Sequence, residues 1–257
     1  MSKYNISIKT SSLTKDFGSV HAVRDLDLEI PVGTRFGFLG PNGAGKTTTV
    51  RMLSGLLKPT SGQASVFGMN VLTQQDEIKA LTGMLPETPG LYSKLSAVEF
   101  LEFIGALNEV DEQRLYRRID SLLAILGLEE RQENLLESYS SGMKQKVLIA
   151  ATLLHDPKLV FLDEPTSRLD PSASILVKDL ILALARETGT TFVLSTHQTA
   201  LAEEVCDMIG LLIGGRLVAT GSPQEIVESA GGNDLEEAYL NLVGGRIDSE
   251  KLLTWRS

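Results

Sequence analysis

The chain has 257 residues and a formal net charge of −9, with 42% hydrophobic and 22% charged residues. This composition is ordinary for a globular protein of about one domain, and the negative charge argues against sequence-independent binding of nucleic acid, which requires a basic surface. A single cysteine, Cys206, excludes an internal disulfide, and the sequence contains neither a signal-peptide pattern nor an apolar stretch long enough to cross a membrane.

The first elements along the chain are predicted strands. Residues 5–11 and 26–30 alternate apolar and polar side chains, as half-buried strands do. A third, continuously apolar run covers residues 36–39. We expect the two alternating segments to be antiparallel strands that lie around this third strand.

A glycine-rich loop follows this apolar run and precedes a helical pattern over residues 46–57. Glycines at its first and sixth positions, followed by Lys46 and Thr47, match the phosphate-loop spacing. Glycine lets backbone N–H groups approach phosphate oxygens, and a helix N-terminus adds positive partial charge. We expect Lys46 to reach the terminal phosphates of a nucleoside triphosphate and the Thr47 hydroxyl to bind Mg²⁺. The predicted phosphate-binding residues are Gly40, Pro41, Asn42, Gly43, Ala44, Gly45, Lys46, Thr47 and Thr48.

A nucleotide site leaves two roles open for Phe17, which lies near a turn between the first two strands. Its ring can stack on a base, because every base offers a π-face, or it can belong to the core of the small sheet.

The middle of the chain is predicted to be helical. A strand at 82–85 ends in a loop with two prolines and a glycine, and no strand pattern interrupts residues 96–154. Ser96 and Glu99 have the spacing of a capping box. We therefore expect a helical subdomain at about 90–155. One amphipathic face of it contains Leu115, Ile119, Leu122, Leu123 and Leu126.

Strands and helices alternate after this block, which indicates a parallel sheet with helices on its faces. The predicted fold class is α/β, a phosphate-loop hydrolase core with a parallel sheet, an antiparallel β subdomain and the inserted helical subdomain. This domain is expected to cover residues 1–222, followed by a short helical tail at 223–257. The strands are predicted at 159–162, 191–195 and 208–213, and the helices at 171–187 and 198–206.

Two acidic residues follow the apolar strand at 159–162. An acidic residue at the carboxyl end of a buried strand can supply a second metal contact, so Asp163 is predicted to bind Mg²⁺ together with Thr47. Glu164 comes next and is the candidate general base for an attacking water molecule.

Together these motifs resemble the ATP-binding subunit of ATP-binding cassette (ABC) transporters, over about residues 6–221. The motifs stand in the order of that family. Residues 40–48 resemble the Walker A loop, 140–143 the signature segment, 159–164 Walker B, 167–170 the D-loop, and His197 the switch histidine.

The resemblance implies an ATPase that works as a pair. Two domains would sandwich two ATP molecules head to tail, and each site would take its phosphate loop from one subunit and Ser140 and Gly142 from the other. His197 would contact the γ-phosphate, and Phe17 would stack on adenine. The two subunits would be identical or similar. They would power a separate membrane permease from the cytoplasmic face of the membrane, and an exporter is the favoured type of permease.

Three positions depart from the family pattern. Glu87 stands where glutamine is usual, and we interpret it as a ligand in the metal shell and a coupling hinge. Ser141 and Met143 replace a glycine and a glutamine of the signature segment, and we expect the contact with ATP to be retained. Arg168 replaces a glycine of the D-loop. It can reach the partner's nucleotide or be a solvated cation, and we favour the solvated cation.

The alternative function is that of a soluble ABC protein acting on ribosomes or nucleic acid. Such proteins usually carry two cassettes or a long coiled-coil insertion with basic surfaces. One cassette and a negative charge favour the transport subunit, so no nucleic acid partner is expected.

Overall fold

The computed structural model describes residues 5–87 and 90–244, and it has the predicted α/β architecture. The strands in this part of the chain are β1 (Ile6–Phe17), β2 (Val20–Pro31), β3 (Arg35–Leu39), β4 (Ser61–Val66), β5 (Met69–Asn70), β6 (Thr82–Leu85), β7 (Leu159–Asp163), β8 (Thr191–Thr196), β9 (Met208–Ile213) and β10 (Arg216–Gly221). The helices are α1 (Lys46–Leu53), α2 (Gln75–Leu81), α3 (Ala97–Leu107), α4 (Glu112–Ile125), α5 (Ser141–Leu153), α6 (Pro171–Thr188), α7 (Thr199–Val205), α8 (Pro223–Ala230) and α9 (Leu235–Val243), with 3-10 turns at Glu129–Arg131 and Leu136–Ser138.

The smaller sheet is antiparallel and has the strand order β2-β1-β4-β5. Its inward-facing side chains include Ile8, Leu26 and Ile30, which are fully buried. This arrangement corrects the prediction that β1 and β2 lie around the phosphate-loop strand. Strand β3 pairs instead with β8 and β9. The reason is that β3 is buried on both faces, whereas β2 exposes alternate side chains to solvent.

The larger sheet has the order β10-β9-β3-β8-β7-β6. The pairings of β3, β6, β7, β8 and β9 with one another are parallel, and β10 is antiparallel to β9. Leu39 pairs with Thr196, and Asp163 pairs with Ser195. Because parallel strands end at the same edge, the residues that follow β3, β7 and β8 meet there.

The hydrophobic core lies on both faces of the larger sheet. On β7, Val160 and Leu162 pack in the cluster that includes residues of α3 to α7, whereas Leu159 and Phe161 pack with α1 and the smaller sheet. A strand covered on both faces needs apolar side chains at every position. This double burial explains the unbroken apolar run of β7.

The helical block is present where the sequence predicts it, as α3, α4 and α5. The Ser96 side chain accepts the Glu99 N–H at 3.2 Å, and the Glu99 carboxylate accepts the Ser96 N–H at 2.7 Å, which confirms the capping box. Leu115 and Ile119 of α4 are buried in the shared core. The boundaries of a subdomain at about 90–155 stay a prediction.

The bounds predicted for β6 and β9 are confirmed, whereas β1 and β2 are about six residues longer than the predicted strands at 5–11 and 26–30. Helix α1 is shorter than predicted and ends at Leu53, because Gly55 adopts a φ of +75°, a left-handed conformation typical of helix ends. In the predicted tail, α8 and α9 pack on the core through Ile226 and Leu235. The rest of the tail, 245–257, lies outside the described residues. Within the described ranges, no helix has the length and apolarity needed to span a bilayer.

Candidate active site

The phosphate loop joins β3 to α1 and borders a cavity of about 400 Å³. Gly45 adopts a φ of +104°, and a Cβ on it would lie 2.3 Å from the Ala22 carbonyl oxygen. A Cβ on Gly40 would lie 2.2 Å from the Leu212 carbonyl oxygen. The fold therefore requires glycine at both positions, whether or not a phosphate is bound. The residues lining the cavity are Phe17, Ala22, Asn42, Gly43, Ala44, Gly45, Lys46, Thr47, Thr48, Glu87, Asp163 and Glu164.

Lys46 is buried in the wall of this cavity, with 7% of its surface exposed. Its Nζ donates to the carbonyl oxygens of Gly40 at 2.7 Å and Pro41 at 3.1 Å. Burial lowers the pKa of Lys46, and the nearby carboxylates of Glu164 and Asp163 oppose this shift. Neutral carbonyl oxygens hold this buried ammonium group, and an anionic phosphate beside it would strongly stabilise its positive charge.

Asp163 ends β7 and contacts Thr47, another of the three predicted metal ligands. Its Oδ1 accepts hydrogen bonds from the Thr47 hydroxyl at 3.1 Å and from the Ser195 hydroxyl. Its Oδ2 is buried and has no hydrogen-bond partner within the described ranges. An unpartnered buried carboxylate oxygen is costly unless a cation or a donor reaches it. The Thr47 hydroxyl and this oxygen therefore fit a hard cation, and Mg²⁺ binding stays a prediction.

Glu164 lies directly after Asp163 and is held by the end of β8. Its N–H donates to the Ser195 carbonyl oxygen at 2.9 Å. Its Oε1 accepts the His197 N–H at 3.1 Å and lies 2.7 Å from His197 Nδ1. Because a carboxylate can only accept, Nδ1 carries the proton in this contact. The structure thus brings the predicted base and the predicted switch histidine into direct contact.

Phe17 lines the cavity and is 51% exposed, so the alternative that it belongs to the core of the small sheet is wrong. The ammonium group of Lys15 lies 5.0 Å from the centre of the ring. An exposed aromatic ring beside a phosphate loop suits a nucleotide base. Adenine stacking on Phe17 stays a prediction.

The signature residues Ser140 and Gly142 do not line the cavity of their own chain. Ser140 is exposed and caps α5, because its side chain accepts the Met143 N–H at 3.2 Å. The N-terminus of α5 thus lies near the surface, and the backbone N–H groups of its first turn favour binding of an anion. Ser140 and Gly142 therefore do not face a nucleotide bound at the phosphate loop of their own chain.

Three residues at or near the site were not predicted from the sequence, and one of them, Ala22, lines the cavity. Ser195 donates to Asp163, as described above. Gln145 of α5 is 2% exposed, and its Nε2 donates to the Pro165 carbonyl oxygen at 3.2 Å. This bond links α5, the helix that begins in the signature segment, to the turn after Glu164. A glutamine on the buried face of a helix is the signal that could have identified it.

Arg168 makes a contact that was not predicted from the sequence. Its side chain is exposed, but its Nη2 donates to the Glu87 carbonyl oxygen at 2.8 Å. The exposure agrees with the favoured interpretation of a solvated cation, and the alternative contact with the partner's nucleotide stays untested.

Fold and site together define the class of protein. A phosphate loop after the central strand β3, an Asp-Glu pair after β7 and a histidine after β8 make up a P-loop nucleotide hydrolase. Residues 23–167 match the family model described as ABC transporter, and the chain belongs to this family. It is an ATPase with the fold of ABC ATP-binding subunits.

Curated relatives and a solved structure agree with this assignment. The chain is 42% identical over 82% of its length, and 68% of the relative's, to the bacitracin transport ATP-binding protein BcrA of Bacillus licheniformis. It is 37% identical over 96% of its length, and 74% of the relative's, to the daunorubicin/doxorubicin resistance ATP-binding protein DrrA of Streptomyces peucetius. The solved structure of an ATP-binding subunit of an ABC transporter matches 92% of this chain and 99% of its own, with a TM-score of 0.86 and 31% identity.

Proposed function

We propose that two copies of this chain, or this chain and a similar subunit, close around ATP and Mg²⁺ and power a separate membrane permease. One observation carries the proposal. The cavity of a single chain holds Lys46, Asp163 and Glu164 but not Ser140 or Gly142. A second subunit placing its α5 N-terminus opposite the phosphate loop would complete the site.

Each residue has a role that follows from its contacts. The main chain of the phosphate loop and Lys46 would bind the phosphates. Thr47 and Asp163 would hold Mg²⁺, with Glu87 nearby, and the ion would neutralise charge on the phosphate oxygens. Glu164 would take a proton from the attacking water, and His197 would keep the Glu164 carboxylate oriented toward it.

Pairing is tested by mixing two inactive variants. Lys46→Ala prevents phosphate binding by the phosphate loop of its own chain. Gly142→Asp places a negative charge, which repels phosphate, in the signature segment. If the site is shared, the mixture regains about a quarter of wild-type ATPase activity, since random pairing gives half mixed dimers with one intact site each.

Controls keep this result interpretable. Both variants must show the thermal unfolding midpoint of the wild type. Glu164→Gln should retain ATP binding, lose ~100-fold or more in turnover, and form an ATP-dependent dimer by light scattering. A mixture that stays inactive, together with a monomeric Glu164→Gln variant in ATP, would contradict the shared site.

The permease contact has a candidate surface beside the Glu87 loop. Tyr92 is 57% exposed and Phe103 39% exposed, and their rings meet edge to face with centroids 5.3 Å apart. Exposed aromatic pairs of this kind favour a protein interface. An exporter is the favoured type of permease, and the resemblance to a drug-resistance subunit supports this direction.

The contact is tested in the native host by measuring how much of the chain sediments with membranes. Tyr92→Ser combined with Phe103→Ser should release the chain, whereas Tyr116→Ser, at an exposed tyrosine of α4, should not. Equal sedimentation of all variants would rule out this surface as the docking site.

A further inference from the structure

We infer that Arg168 is a positioning residue for the reaction: it holds the loop that carries Glu87 at the nucleotide cavity. The inference rests on the proposed role of Glu87 in that cavity. Its central observation is the hydrogen bond from Arg168 Nη2 to the Glu87 carbonyl oxygen at 2.8 Å, which joins segments 81 residues apart in the sequence.

On one side of this contact lies the end of β6. Strand β6 ends at Leu85, and Glu87 follows in a loop that lines the cavity with Lys46 and Asp163. The negative charge of Glu87 is one of the causes that raise the pKa of Lys46 against the larger effect of burial. The guanidinium group binds the main chain of Glu87, so the carboxylate is left free to face the cavity.

On the other side, hydrogen bonds of the neighbouring residues fix the backbone around Arg168, which also lies close to the start of α5. The Ser167 hydroxyl donates to the Glu164 carbonyl oxygen at 3.1 Å, and the Asp170 side chain caps α6 by accepting the Ala173 N–H at 2.9 Å. A Cβ on Gly142 would lie 3.2 Å from the Arg168 carbonyl oxygen, so this turn packs against the start of α5.

Arg168 therefore touches the wall of one cavity with its side chain and the signature helix with its backbone. An arginine is suited to this role because it stays charged and its planar group offers several donors, so one can hold a carbonyl while others remain free. Closure of a partner subunit on the α5 N-terminus would move the anchor that holds Glu87. The contact would thereby link subunit pairing to the position of Glu87.

Loss of the guanidinium group should affect turnover more than ATP binding, because Lys46 and the phosphate loop keep their own contacts. We expect Arg168→Ala to lower kcat about threefold to tenfold, as loss of one solvent-accessible hydrogen bond would. The dissociation constant for ATP should stay within about twofold. Arg168→Lys should recover part of kcat, since its ammonium group can still donate one bond.

The test combines kinetics with a readout that needs no hydrolysis. Hydrogen–deuterium exchange of the peptide spanning residues 82–95 should become faster in Arg168→Ala and return toward wild type in Arg168→Lys. The matched control is Arg186→Ala, an exposed arginine of α6 that pairs with Glu187, and it should match the wild type in both measurements.

A double-variant cycle tests whether Arg168 acts through Glu87. In a Glu87→Ala background, Arg168→Ala should cause no further loss of kcat, whereas additive losses would overturn the inference. Unchanged exchange at 82–95 would also overturn the inference. Faster exchange across the whole protein, together with a lowered unfolding midpoint, would overturn it as well. Failure of the subunit-mixing experiment would instead remove the proposed function, while the exchange result would still stand.

Discussion

Glu164 combines an unfavourable backbone with several specific contacts. Its φ of +49° places a non-glycine residue in the left-handed region, which costs of the order of 1–3 kcal/mol. The N–H bond to Ser195 and the two contacts with His197 hold it there. The strained turn directs the carboxylate toward the histidine at the end of β8. Glu164 also lines the phosphate-loop cavity, which supports its proposed role as general base.

Cys206 is predicted to be chemically inert in the folded protein. A Cβ on Gly37 would lie 2.7 Å from its sulfur, so the thiol is tightly enclosed. Burial, with a smaller contribution from Asp207, raises the pKa of Cys206 to about 12. Because the thiolate is the reactive form, N-ethylmaleimide near neutral pH should label the native chain far more slowly than the urea-unfolded chain, as measured by mass spectrometry. Rapid native labelling would contradict this enclosure.

At the scale of elements, the site depends on the order β3-β8-β7 in the larger sheet. Parallel pairing brings the ends of these strands together, and each contributes a different group to one edge. The phosphate loop follows β3, Asp163 ends β7 with Glu164 directly after it, and β8 supplies Ser195 and leads to His197. Helix α5 contributes from another side, because its buried Gln145 reaches the turn after Glu164.

The capping box of α3 should contribute measurably to stability. Ser96 is 3% exposed, and its hydroxyl satisfies an N–H at the helix start. We expect Ser96→Ala to lower the free energy of unfolding by about 1 kcal/mol in urea titrations. Ser121→Ala, at an exposed serine within α4, is the control and should change it by less than about 0.5 kcal/mol. Equal effects of the two variants would show that the box contributes little.

At the scale of the whole molecule, the cavity is lined by residues from both sheets and from the phosphate loop. Phe17 comes from the smaller sheet, Glu87 follows β6, and Asp163 ends a strand of the larger sheet. Motion of any of these parts would therefore change the shape of the nucleotide site. This arrangement suits a subunit whose ATP cycle must be transmitted to a partner.

The net charge of −9 predicts how the molecule responds to polyanions. Binding of nucleic acid through phosphates requires a basic surface and strengthens as salt is lowered. We expect no change in fluorescence anisotropy of labelled RNA or duplex DNA with this protein, even at about 50 mM salt. Salt-sensitive binding would instead favour the alternative function on ribosomes or nucleic acid.

Local spacing predicted much of the fold and of the candidate site. The strand at 82–85, the capping box at Ser96 and the acidic pair at 163–164 all depend on residues close in sequence, and the structure contains each of them. The antiparallel pairing of β1 and β2 is confirmed, but their predicted place around β3 was wrong, because alternation reveals a half-buried strand but not the sheet that it joins.

The sequence by itself determined the phosphate loop, the order of the motifs and the family, because these depend on residue type and spacing along the chain. Only the tertiary structure decided that Phe17 is exposed at the cavity, that Ser195 donates to Asp163 and that Arg168 holds the Glu87 loop. The two bonds join residues far apart in sequence, and the exposure of Phe17 depends on how distant segments pack around it. All three depend on the order of strands in the sheets and on the packing of turns, which no local pattern encodes.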